Sequence, residues 1–131
     1  MHEGHARHIR RIETPVLIAI GGFAGANLRY FVGEQVAGQV GTLLVNVAGS
    51  FALGLLLYEA HFTGVLSERT HVAVGTGFLS SLSTYSTFAL QTLALGTPLG
   101  AGYVLASYAL AFGGVLAGRH VAVWLERGRW L

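Results

Sequence analysis

No cysteine, aspartate or lysine occurs in the chain. Without cysteine, neither a disulfide nor a thiolate metal site can hold the fold, and the redox compartment is left open. Charge of either sign is scarce. Charged residues make up 11% of the chain, the six acids all being Glu and the eight bases all Arg, whereas soluble domains average roughly 25% charged. What fills the space is apolar: 53% hydrophobic residues, and 19 glycines in 131 residues against the usual share of about 7%. Few water-soluble folds tolerate such a balance, so the composition points to a membrane protein. The net charge of +2 says little about partners, but the placement of the arginines says more.

Four apolar runs, at about 15–32, 41–58, 71–95 and 99–123, are predicted to span a bilayer, each near or above the roughly 20 residues that a helix needs. They make a single domain over residues 1–131 with no linker or repeat. The fold class expected is therefore an all-α integral membrane protein with four transmembrane helices. Before the first run lies a polar tail with Arg7, Arg10 and Arg11 and with His2, His5 and His8 spaced by three. No other ligand type accompanies these histidines, so a mobile, solvated tail is expected rather than a metal site. The basic start, the apolar run and Ala24-Gly25-Ala26 mimic a signal peptide, but three further hydrophobic segments follow instead of a secreted domain. Trp124 and Trp130 among the C-terminal charges suit a helix end at the lipid headgroups.

Four spans put both termini and the middle loop on one side. Arg7, Arg10, Arg11, Arg69, Arg119, Arg127 and Arg129 then share that side, and only Arg29 lies near the other. Arginine excess marks the cytoplasmic face, so a multi-pass protein of the cell membrane with cytoplasmic termini is expected. Within the spans, small residues provide helix contacts: Gly21 with Gly25, Gly114 with Gly118, and Gly49 with Ser50 and Gly54. Four short helices enclose little volume, and size alone predicts an oligomer.

Polar groups inside the spans narrow the function. Arg29 either snorkels to the interface or draws anions into a vestibule. Thr42 and Asn46, four apart, share one helix face; the Asn amide either joins helices or offers donors to an anion. Tyr103 and Ser107 repeat that spacing, while Tyr108 is expected to point elsewhere. No carboxylate stands mid-span, Glu13, Glu34 and Glu59 all falling at ends, which argues against a proton- or cation-coupled transporter. The densest polar stretch is 80–87, where six of eight residues are Ser or Thr. Such side chains compete for backbone groups, and with Gly75 and Gly77 upstream both an ordinary packed helix and a functional break fit the pattern. Tyr85 and Phe88, three apart, share a face, and aromatic ring edges are electropositive enough to flank an anion.

Taken together, three motifs resemble those of the CrcB/Fluc family of fluoride channels. Gly21-Gly22-Phe23-Ala24-Gly25-Ala26-Asn27-Leu28-Arg29-Tyr30 is similar to the family's GGxxGAxxRY, 41–51 (GTLLVNVAGSF) to its GTLxVNxxGSF, and Ser83-Thr84-Tyr85-Ser86-Thr87-Phe88 to its TTFSTF. The resemblance covers all four spans in order. It implies an antiparallel dimer with two narrow fluoride pores, a third helix broken near its middle, a central structural Na+ and passive fluoride efflux that confers fluoride resistance. It also implies roles: Ser80 and Ser83 hold Na+ through backbone carbonyls, and Tyr85 and Phe88 take the pore-lining aromatic positions. Asn46, Thr42, Tyr103 and Ser107 form the polar track, and Arg29 matches the first-span Arg. No catalysis is implied.

The chain departs from the family pattern at Ser80-Ser81, where Gly-Gly is usual, at Tyr85 in place of Phe, and at Gln91 in place of an acid. Its arginine bias also differs from the near balance that lets one chain insert both ways, so a heterodimer with a paralogue of opposite orientation is an expectation beside the homodimer. A non-conducting partner subunit is the alternative that the Tyr85 and Gln91 departures suggest. A small multidrug-type transporter needs a mid-span Glu in the first run, and residues 15–30 contain none. A membrane enzyme lacks any grouped acid, base and nucleophile.

Overall fold

A computed structural model describes residues 2–128, with side-chain surroundings for Gly4 and 11–128. The side chains of His2, His5, His8, Arg7 and Arg10, and the residues Arg129 and Trp130, lie outside the described residues. Helices account for nearly all of the described chain, and among these residues there is no strand. Helix α1 (His2–Gln35) includes the polar segment expected to be a mobile tail. The physical reason is local: between His2 and Thr14 the chain holds good helix formers such as Ala, Arg and Glu, and its first proline is Pro15.

Helix α2 (Gln39–Tyr58) continues as a π-helical turn, Glu59–Thr63, beyond the expected end at 58. It stops at Gly64, whose φ of 60° and ψ of 24° are left-handed, and whose N–H donates to the Glu59 carbonyl at 2.7 Å. Only glycine adopts this conformation without strain, which makes it a natural helix terminator. Ser67 then caps α3 (Glu68–His71), its hydroxyl accepting from the Thr70 N–H at 3.2 Å. A π-helical stretch, Val72–Leu79, and α4 (Ser80–Leu82) complete one rod over 68–82. After a gap at 83–85, α5 (Ser86–Leu95) follows, and α6 (Leu99–Gly128) ends the described chain.

Three stretches, Arg11–Gln35, Gln39–Thr63 and Leu99–Gly128, are long and apolar enough to cross a membrane. The expected spans 15–32, 41–58 and 99–123 lie inside them. The expected span 71–95 is instead the rod and α5, broken near its middle.

Glycines let these elements touch backbone to backbone. A Cβ on Gly25 would collide with the Phe78 carbonyl, and one on Gly118 with that of Phe51. Thus α1 lies against the π-helical stretch, and α6 against α2, as the small-residue pairs predict. Among the described residues, the buried hydrophobic core is only Val45, Leu79 and Leu82. Large apolar side chains face outward instead, among them Phe23, Leu93, Phe112 and Trp124, the distribution that lipid contact or a partner subunit would cover.

Polar contacts pin one end of the bundle. Arg69 Nε pairs with Glu13 Oε1 at 2.9 Å, Tyr58 donates to Glu126, and His71 Nε2 lies 2.5 Å from Glu59 Oε2. The membrane-proximal part of α1, the 64–67 connection and the C-terminal part of α6 therefore share that end. At the other end the 36–38 connection and α5 line one cavity, and Tyr103 ties α6 to α5 by donating to Gln91 Oε1 at 2.8 Å.

Candidate functional site

The break at 83–85 starts where helical hydrogen bonds change hands. Ser83 still donates its N–H to Leu79 O at 3.1 Å, but its backbone is extended, with φ −74° and ψ 158°. The next N–H, that of Thr84, donates to Asn46 Oδ1 at 2.7 Å, and Asn46 Nδ2 returns a bond to Thr84 O at 3.0 Å. One side-chain amide thus does for Thr84 what a neighbouring turn of helix would do. The hydroxyls of 80–87 divide among backbone groups as their chemistry allows. Ser83 Oγ donates to Leu79 O at 3.0 Å, Thr84 Oγ1 accepts from the Thr87 N–H at 3.3 Å, and Ser80 Oγ donates to Thr76 O.

Two cavities flank the break and share Thr84. The first, about 500 Å³, is lined by Arg29, Glu34, Thr42, Thr87 and Gln91 among others. Arg29 does not snorkel: its Nε donates to Ser81 O at 3.0 Å, and the side chain is half-buried. A guanidinium anchored by one N–H keeps its other donors for a ligand. The second cavity, about 260 Å³, is a groove lined by Asn46, Tyr85, Phe88, Ser107 and Tyr108 among others. Ser107 Oγ is buried there and has no hydrogen-bond partner among the described residues. Phe88 is the centre of an aromatic cluster, with ring centroids 6.0 Å from Tyr85, 5.3 Å from Tyr103 and 6.3 Å from Tyr108.

Thr42, buried in the vestibule, and Asn46, at the groove, lie on successive turns of α2, so one polar face runs from the first cavity to the second. Tyr103 joins them from α6, its hydroxyl on Gln91 and its ring on Phe88. Of the residues expected from sequence, Asn46, Ser83, Tyr85, Phe88 and Ser107 meet in the groove, and Thr42 and Arg29 in the vestibule. Ser80 is exposed and lines neither cavity.

Two residues stand differently from their expected places. Tyr108, expected to point elsewhere, lines the groove, because the groove wraps wide enough around α6 to take a residue some 100° on from Ser107. Gln91, noted only as a departure, is the acceptor that orients Tyr103. Thr84 is the residue that sequence reasoning misses inside the hydroxyl-rich stretch: it is both the partner of Asn46 and the acceptor of the Thr87 N–H in the first turn of α5.

The geometry offers neutral donors, ring edges and one anchored arginine along a path at a helix break. A polytopic helical membrane protein with a polar path of this kind is the class that fold and site define. Residues 16–119 match the family described as CrcB-like protein, Camphor Resistance (CrcB), and the chain belongs to that family. Fluoride-specific ion channel FluC 1 of Haloarcula marismortui is 56% identical over 110 residues, covering 84% of this chain and 86% of that protein. Fluoride-specific ion channel FluC 2 of Halobacterium salinarum is 53% identical over 110 residues, with 83% and 86% covered. Fluoride-specific ion channel FluC of Oceanobacillus iheyensis is 37% identical over 107 residues, with 79% and 81% covered. The family is one of ion channels and not of enzymes.

Proposed function

We propose that the chain is one subunit of a fluoride-selective channel that lets fluoride leave the cell passively and so confers fluoride resistance. The observation that carries this reading is the groove: a buried Ser107 hydroxyl beside Phe88, without a hydrogen-bond partner among the described residues, in a cavity that shares Thr84 with the Arg29 vestibule. Fluoride holds its water tightly, so a narrow path must offer hydrogen-bond donors in exchange. Arg29 raises the local anion concentration in the vestibule. Thr42 and the remaining N–H of Asn46 carry the ion past the break. Ser107 then donates to it, while the edges of Phe88 and Tyr85 flank it. Tyr103 holds Phe88 in place through ring contact.

The rod and α5 together make the fourth membrane crossing, since they run between the same two ends as α2. A single domain spans the chain, set in the cell membrane with cytoplasmic termini, as the arginine distribution favours. The outward apolar faces and the groove's open side fit an antiparallel dimer in which a second subunit closes each path. The arginine bias favours a heterodimer with an oppositely inserted paralogue.

A central structural Na+ fits the chain's own oxygen donors. In a continuous helix Ser80 O and Ser83 O would accept from Thr84 N and Thr87 N, but those N–H groups go to Asn46 Oδ1 and Thr84 Oγ1. Two carbonyls released at a helix break are the kind of ligand that holds Na+ in membrane proteins. The exposed position of Ser80 suits a site shared with a second subunit. When bound, the cation neutralises the carbonyl ends at the break.

A non-conducting partner subunit is the second reading, favoured by Tyr85 and Gln91 at positions where the family pattern has Phe and an acid. Growth on fluoride of cells that lack their own exporter separates the two. Rescue by this chain, alone or with its paralogue, and its loss on Phe88→Ala in this chain, supports conduction here. Rescue that survives every groove substitution in this chain contradicts it.

A further inference from the structure

We propose that Tyr108 is a further pore residue, its phenol hydroxyl donating to the permeating fluoride beside Phe88 and so helping to set selectivity. This rests on the fluoride-channel reading above. Tyr108 is nine residues into α6, or about 14 Å along the axis at 1.5 Å per residue. That depth is close to the middle of a hydrocarbon core about 30 Å thick. Its side chain is 54% exposed. A phenol hydroxyl at such depth is costly unless something accepts its proton.

The ring faces the groove. It stands edge to face with Phe88, 6.3 Å between centroids and 80° between planes, and forms one wall of the groove with Ser107, Tyr85 and Asn46. Most neighbouring protons are already committed. Ser50 donates to Asn46 O at 2.8 Å, Ser83 to Leu79 O at 3.0 Å, and Tyr103 to Gln91 at 2.8 Å. On α6 the line through Ser107 continues to Ala111, which has no hydroxyl. Ser107 and the one remaining N–H of Asn46 give a proton each, too few to replace the water around fluoride.

Tyr108 supplies a further donor beside Ser107 in the groove. A phenol O–H is also a stronger hydrogen-bond donor than an alkyl O–H, so its bond to a small, basic anion is the stronger. For chloride, which binds water less tightly and needs fewer donors, the same hydroxyl contributes less. The residue therefore tells between anions by the strength of the bond it offers as well as by the width its ring leaves.

The test is fluoride flux as a function of fluoride concentration, in the assembled channel, for wild type and Tyr108→Phe. The substitution keeps the ring against Phe88 and removes one hydroxyl. Half-saturating fluoride is expected to rise about three- to tenfold, the effect of one lost hydrogen bond, with chloride flux, oligomer size and melting temperature unchanged. Placing 3-fluorotyrosine at 108, a more acidic donor of nearly the same shape, is expected to shift half-saturation the other way. An unchanged half-saturation in Tyr108→Phe, or a change confined to melting or oligomer size, overturns the proposal. Should Tyr108→Phe not fold, an unchanged half-saturation with 3-fluorotyrosine overturns it equally. Folded wild-type assemblies without fluoride flux contradict the channel reading itself, and the role of Tyr108 with it.

Discussion

Asn46 and Thr84 hold each other by two hydrogen bonds, Thr84 N to Asn46 Oδ1 at 2.7 Å and Asn46 Nδ2 to Thr84 O at 3.0 Å. The pair ties α2 to the break in the third segment, and Thr84 lines both vestibule and groove. Asn46→Ala leaves both backbone groups of Thr84 without a partner in a half-buried place. The expected cost is about 2–4 kcal/mol, from two lost bonds and incomplete rehydration. Asn46→Asp keeps an acceptor for Thr84 N but sets a carboxylate oxygen against Thr84 O, so it too should cost stability, and it should remove flux, because a carboxylate repels the anion. Chemical denaturation in detergent and fluoride efflux, measured side by side, check the two effects.

Arg29 holds the Ser81 carbonyl at 3.0 Å from within the vestibule. Arg29→Ala is expected to lower fluoride flux several-fold at low ionic strength. The deficit should shrink as salt rises, since screening lengths fall from about 10 Å at 0.1 M to 3 Å at 1 M. Flux measured across a series of inert salt concentrations reads this directly. A deficit independent of salt would mean that the arginine acts only through the Ser81 carbonyl.

Gln91 accepts the Tyr103 hydroxyl proton at 2.8 Å. Gln91→Leu removes that acceptor and is expected to destabilise by about 1–3 kcal/mol, the range for an abandoned buried partner. Gln91→Glu keeps an acceptor and adds a negative charge to a cavity that already holds Glu34. As the acid of the family pattern it should fold like wild type and pass fluoride at least as fast. Melting curves and efflux of the two variants are expected to rank in the same order.

Helix contacts give a paired test. Gly118→Leu drives a side chain into the Phe51 carbonyl, whereas a Cβ on Gly102 would meet only open space. The first should cost about 3 kcal/mol or more and lose the monodisperse peak on size exclusion. Gly102→Ala should be neutral or stabilising by up to about 1 kcal/mol, as for an exposed helix glycine.

Much of this arrangement is legible in the sequence, because lipid makes polar residues conspicuous. Asn46, Phe88 and Ser107 stand out in apolar runs, and small-residue spacing marks the faces that touch, Gly25 on Phe78 and Gly118 on Phe51. What stays hidden depends on pairings between segments. Nothing local says that the Asn46 amide takes the backbone of Thr84, 38 positions away, or that Arg29 finds a carbonyl at Ser81 instead of the interface. Tyr108 escapes because helical spacing tells which residues share a face but not how far a cavity reaches around it. The helical path of 2–14 escapes because polarity suggests disorder, while polar residues with high helix propensity extend a helix readily.

The chain has no cysteine, which makes its orientation easy to read. Single cysteines at Gly4 and Gly128 should both react with an impermeant thiol reagent only from the cytoplasmic face. Their end of the bundle is drawn together by Glu13 with Arg69 and by Tyr58 with Glu126. Equal labelling from both faces would mean that the chain inserts both ways and needs no paralogue.

The central claim is that fluoride passes along the path from Arg29 to Ser107. Its most direct test is fluoride efflux from proteoliposomes holding this chain, alone and with an oppositely oriented paralogue, with chloride efflux in parallel. Fast, selective fluoride release that falls at least about tenfold, or some 1.4 kcal/mol, on Asn46→Asp or Phe88→Ala in this chain is the expected result. Folded protein that releases no fluoride in either setting, or releases it unchanged in both variants, would contradict the claim.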